Sequence, residues 1–199
     1  MLAIIVIFAF AVYLVISIGV VVFAVKWAKR AGRSACRWGF IAALFMYLLV
    51  FWDHIPTLML HKYYCENKAG IWVYKTPEQW KQEHPGVAET LTWQSVPPSY
   101  KGPNITRGYK LNEKFVWVHQ VRRTPIFPVR LDHESIVDLS TGETMIKRIS
   151  VGSWYGEFAL GGDDWRVLKF WVKSKSCLPD TREFGSYLNA FQQMGREIK

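Results

Sequence analysis

Cys65 and Cys177 are the residues of this 199-residue chain whose chemistry is most constrained by position. One stands just after the last apolar segment and the other near the C-terminal end. In an oxidising compartment two such thiols are expected to form a disulfide. The third cysteine, Cys36, lies among basic residues and is expected to remain a free thiol. Zinc is the competing use of the outer pair. The five histidines (His54, His61, His84, His119 and His133) are scattered, however, with no pair at ligand spacing on a helix or strand. The two thiols are therefore better explained by each other.

Asp132-His133-Glu134 has the residue types of a carboxylate–imidazole pair, but on a strand such neighbours point to opposite faces. No nucleophile elbow, phosphate-cradling glycine loop or dinucleotide fingerprint occurs in the sequence. Gly161-Gly162-Asp163-Asp164 reads as a tight turn before it reads as a calcium loop. Trp165, Arg166, Lys169, Trp171, Lys173 and Lys175 interleave rings with cations, yet strand alternation leaves neither face purely basic. Core aromatics flanked by solvated lysines are favoured over a stacking platform for nucleic acid or glycan. Arg122, Arg123, Arg130, Lys147 and Arg148 form a candidate interaction patch if adjacent strands gather them. No catalytic residue, metal or cofactor is expected, and the reading is non-enzymatic.

The elements that must position these residues begin in the bilayer. Leu2–Val25 is apolar throughout, with Tyr13 and Ser17 as mild breaks, and its 24 residues reach roughly 36 Å as a helix. It is expected to be a retained anchor, since its charges follow the apolar stretch instead of preceding it. A basic loop over residues 26–37 follows, in which Lys26, Lys29, Arg30, Arg33 and Arg37 meet no acidic residue. Clustered Lys and Arg stay on the cytoplasmic side, so both chain termini are expected in the periplasm. The second expected span, Trp38–Trp52, is short, and a longer one would place the polar pair Asp53 and His54 at membrane depth. Headgroup level is favoured for that pair, with Pro56 ending the helix.

Residues 1–61 are thus assigned to a two-helix transmembrane anchor and residues 62–199 to one extracytoplasmic, β-rich domain. The chain carries a net charge of +9. From Lys62 onward twenty Lys and Arg face fifteen Asp and Glu, a bias too small to argue for nucleic acid. Thr76-Pro77-Glu78-Gln79 opens a short helix with a capping box. Period-two patterning over Lys114–Arg123, a hairpin from Val129 to Val151 around Gly142, and Asp164–Lys173 are expected strands. Phe184, Leu188, Phe191 and Met194 form the apolar stripe of a C-terminal helix, with Asp180 and Glu183 as its capping pair. The fold class is a membrane-anchored α+β protein: two N-terminal transmembrane helices, then a small antiparallel sheet or barrel with a short helix and a C-terminal amphipathic helix.

The strings Tyr64-Cys65-Glu66-Asn67-Lys68-Ala69-Gly70, Val73-Tyr74-Lys75-Thr76-Pro77-Glu78-Gln79-Trp80 and Leu168-Lys169-Phe170-Trp171, with Cys177 following, give the outer domain a resemblance. It is similar to small membrane-anchored proteins of proteobacterial genomes and mobile elements. The resemblance implies a bacterial inner-membrane setting and supplies no catalytic residue. The expected function is an inner-membrane protein presenting a periplasmic interaction domain, an accessory subunit of a larger envelope or mobile-element-related complex. Its partners would be the lipid bilayer and another membrane or periplasmic protein, or further copies of itself. The alternative is a ligand sensor or phage-defence effector with a cytosolic β-barrel that oligomerises in the membrane.

Overall fold

A computed structural model describes residues 2–92, 97–102, 107–155, 165–194 and 196. The chain is α+β and divides into two compact units, Met1–Ile55 and Pro56–Lys199.

The first unit pairs α1 (Leu2–Arg30) with α2 (Ala35–Phe51). Leu, Ile, Val and Ala propagate α1 for 29 residues, and Lys29 and Arg30 close it where cations complement the helix dipole. Only Ala31–Ser34 leaves the helix, around Gly32 at φ 67°, so most of the basic segment is helical. Gly39 lies where the helices meet, and a Cβ there would come within 2.8 Å of Val25 Cγ2. The Tyr13 hydroxyl donates to the Met46 carbonyl, and Trp27 meets Trp38 edge-on at 5.2 Å. The outward faces are apolar: Ile4, Phe8, Val15 and Phe23 are 71%, 69%, 70% and 72% exposed.

Among the described residues, only α1 is by itself long and apolar enough to cross a membrane. The expected second span is not one straight helix. After 17 residues α2 ends at Phe51, the chain turns at Trp52-Asp53, and α3 (His54–Lys68) begins. The expected breaker, Pro56, sits inside the first turn of α3, where its missing N–H would have had no intrahelical acceptor. Two crossings are counted only if the bent pair α2 and α3 is taken as one span.

The second unit holds β1 (Gly70–Val73), α4 (Pro77–Glu83), α5 (Val87–Thr90), β2 (Arg107–Lys110), β3 (Phe115–Arg123), β4 (Val129–Asp138), β5 (Thr144–Ser153), β6 (Ser174–Cys177) and α6 (Thr181–Gln192). All strand pairings are antiparallel, in the order β1-β5-β4-β3-β2. One side of β5 is shared: Ile146–Ile149 pairs with β1, and Val151 and Ser153 pair with β6. This is a sheet; among the described residues no pairing closes it into a barrel.

Local signals in the sequence account for several elements. Thr76 caps α4 with both capping-box bonds in place, Gln79 N donating to Thr76 Oγ1 and Thr76 N to Gln79 Oε1. The β4–β5 hairpin turns through Gly142 at φ 75°, with Ser140 N donating to Asp138 Oδ1 at 2.8 Å. For α6, Asp180 caps by accepting from Arg182 N, and Phe184, Phe191 and Met194 are buried against the chain's own sheet. The core closes around Trp80, Phe115, Ile136, Met145, Ile146, Phe184 and Phe191. Phe115 touches Trp80 and Phe191 edge-on, at 4.9 and 4.6 Å.

The expected strand over Asp164–Lys173 is corrected. Trp165–Leu168 and Phe170–Val172 are short 3₁₀ turns, and the strand comes later, as β6. The apolar residues around Lys169 fit a three-residue spacing as well as an alternating one, and amide hydrogen bonds to the third preceding carbonyl form (Lys169 to Arg166, 3.0 Å; Lys173 to Phe170, 3.1 Å). Gly161-Gly162-Asp163-Asp164 lies outside the described residues.

Candidate functional site

The cysteines meet through the shared edge of β5. Cys65 sits near the end of α3, which leads directly into β1, while Cys177 sits on β6 opposite Val151. Because β1 and β6 occupy successive stretches of one strand, the two residues come together. They form a disulfide with Cα atoms 5.7 Å apart, spanning 112 residues of sequence. Cys36 is an exposed free thiol in the other unit.

Sequence reasoning missed His61, one helical turn before Cys65. Its Nε2 lies 3.6 Å from Cys65 Sγ and 4.0 Å from Cys177 Sγ. His61 is 8% exposed, beside the Val151 backbone. Burial pushes the His61 pKa below the usual imidazole value, and the Val151 backbone opposes that shift only in part. The result is an imidazole held against two sulfurs by α3, β5 and β6. The spacing of His61 and Cys65, four residues apart, was the available signal. Thr57, one turn earlier on the same helix face, is buried, and its Oγ1 has no hydrogen-bond partner among the described residues.

The sheet carries a second polar assembly. Register places His119 and Val121 of β3 beside Glu134 and Asp132 of β4, which lie beside Arg148 and Ser150 of β5. His119 Nε2 is 3.1 Å from Asp132 Oδ1, and Arg130 Nε donates to Asp132 Oδ2 at 2.9 Å. Arg148 donates to Glu134 through Nε at 2.6 Å and also through its terminal nitrogen. The Arg130 guanidinium stacks 4.0 Å from the Trp154 ring centre, and that of Arg148 lies 4.5 Å from Phe184. Tyr109, Trp117 and His119 stack in series, at 5.5 and 6.0 Å. Asp132 therefore finds its imidazole on the neighbouring strand and not in His133 beside it.

The expected patch is split by the pleat. Arg123 stands opposite Arg130, and Arg148 shares their face. Arg122 and Lys147 occupy the other face with His133. Burial lowers the His133 pKa, the positive charges of Arg122 and Lys147 lower it further, and Asp132 opposes them. Arg122 and Arg123 are exposed, whereas Arg130 and Arg148 are committed to carboxylates and rings.

In the first unit Lys26, Lys29, Arg30, Arg33 and Arg37 are all exposed, and Arg33 lies 5.5 Å from the ring centres of both Trp27 and Trp38. Of the polar pair, Asp53 is buried, and His54 Nδ1 meets the Tyr47 hydroxyl at 2.9 Å. That partner lies on α2, two turns earlier. No family model, curated protein or solved structure matches this chain.

Proposed function

We propose that the protein is a two-pass inner-membrane protein that presents the disulfide-closed unit to the periplasm as a non-enzymatic interaction domain. The Cys65–Cys177 bridge carries this reading, because disulfides form and persist on the oxidising side of the membrane. The five exposed cations between the apolar helices support the same orientation, since Lys and Arg in short loops remain cytoplasmic. In this reading α1 is the first crossing. The α2 segment is the second, and its short length is made up at the Trp52-Asp53 break, at headgroup level.

A binding role is supported by how the polar side chains are used. His119, Asp132, Arg130, Glu134 and Arg148 satisfy one another, which holds the sheet face in one arrangement. Arg122 and Arg123 at the end of β3 are left to meet an acidic surface on another envelope protein, with this chain as accessory subunit of a larger complex. The test is crosslinking in intact cells, gentle solubilisation and recovery of the tagged chain. A discrete crosslinked partner that disappears in the Arg122→Glu/Arg123→Glu variant is expected. Recovery of the monomer alone would contradict the proposal.

A further inference from the structure

We propose that the Cys65–Cys177 bridge is one state of a redox-gated metal centre: once reduced, Cys65, Cys177 and His61 bind a single Zn²⁺ ion. The ligand atoms of the three residues already lie within 4.8 Å of one another. An imidazole nitrogen and a thiolate on one tetrahedral Zn²⁺ stand about 3.6 Å apart, from Zn–N of about 2.05 Å and Zn–S of about 2.3 Å. The observed separations from His61 Nε2 are 3.6 and 4.0 Å, and Cys65 Sγ is also 3.7 Å from Nδ1, so the imidazole already has the spacing of a shared metal and must turn to aim one nitrogen at it. The sulfurs must also part, from a covalent bond to about 3.8 Å on a common Zn²⁺.

The surroundings suit this use. Two thiolates neutralise a divalent cation, so the loaded centre adds no net charge to a half-buried site. Apart from Val151, the polar contacts of the ring among the described residues are the two sulfurs, weak partners for a buried imidazole. A disulfide alone does not require that ring. Three protein ligands leave a fourth position for water or a ligand from a partner.

The chemistry balances with a dithiol donor. Its two thiols supply two electrons and two protons: the Cys65–Cys177 bond breaks, each sulfur gains a proton, and the donor closes its own disulfide. Zn²⁺ then displaces both protons to solvent, forming two Zn–S bonds and one Zn–N bond. In reverse, a disulfide-bearing oxidant accepts the two electrons and two protons from solvent and becomes a dithiol, while the Cys65–Cys177 bond re-forms and Zn²⁺ is released.

The test uses the full chain in detergent, with Cys36→Ser removing the unrelated thiol. After reduction with a phosphine and its removal under nitrogen, the protein is titrated with Co²⁺ and then Zn²⁺. Thiolate-to-cobalt charge-transfer absorption saturating at one equivalent, bleached by Zn²⁺ and absent from the oxidised protein, is expected. His61→Gln should weaken Co²⁺ binding by at least about tenfold. That variant must still form the bridge on oxidation, which shows that the cysteines still meet. Absence of charge-transfer absorption in the reduced protein, or equal affinity in a bridge-competent His61→Gln, would overturn the proposal. Neither result bears on the side of the membrane the unit occupies.

Discussion

Replacing Cys65 and Cys177 singly and together separates a cross-link from two unrelated half-buried thiols. The bridge closes a segment of 112 residues. In the chain-entropy view, a loop of that size costs the unfolded chain about 16 cal/mol/K, or about 4.8 kcal/mol at 25 °C. Either single replacement opens the same loop, so Cys65→Ser and Cys177→Ser should each lower the unfolding free energy by about 4–5 kcal/mol. The double variant should lose no more than a further ~1 kcal/mol. In a Cys36→Ser background and mild detergent, denaturant unfolding followed by near-ultraviolet circular dichroism reads the aromatic core around Phe115. Losses that instead add from the singles to the double, or that stay below about 1 kcal/mol, would refute the loop-closure reasoning.

Other perturbations probe the packing and charges of the second unit. Asp138 is 1% exposed; burial favours its neutral form, but the hydroxyl and amide of Ser140, the Trp80 indole N–H and the Thr141 amide outweigh burial and hold its pKa below the usual value. Its contribution is therefore complete above the ordinary carboxylate range and is lost as pH falls from there through the lower folded value. Asp138→Asn should flatten that acid limb, and Asp138→Ala, which orphans the buried Trp80 N–H, should cost about 1–3 kcal/mol, both read from unfolding midpoints against pH. His133 also has a lowered pKa, so protonating it works against the fold: stability should fall as pH drops from about 6.5 toward the folded value, and His133→Gln should remove that slope. Phe115→Ala, at a fully buried position touching two other rings, should cost about 3–5 kcal/mol by the same assay.

What the sequence disclosed followed from local or periodic physics. The capping box at Thr76, the hairpin turn at Gly142 and the stripe on α6 each depend on residues within one or two turns of one another, and each formed as expected. The disulfide was legible because two cysteines in one domain have few other uses there. Long-range placement was not. The proximity of His61 to Cys177 depends on β1 and β6 sharing one side of β5, which no local pattern encodes. The same holds for His119 and Asp132, joined by strand register, and for the division of the five-cation patch between two faces. The helix break at Trp52-Asp53 was misassigned to Pro56 because a proline in the first turn starts a helix as readily as it ends one. The Asp164–Lys173 segment misled because its apolar residues fit both an alternating and a three-residue repeat.

The compartment that holds the second unit is measured directly by trapping thiols in living cells. Cells quenched in acid are denatured and treated with a mass-adding maleimide, with and without prior reduction. One reactive thiol, Cys36, should be found before reduction, and all three cysteines after it. In intact spheroplasts a membrane-impermeant maleimide should label none. A Cys36 open to the impermeant reagent, together with three reactive thiols in unreduced samples, would place the unit in the cytosol and contradict the envelope role.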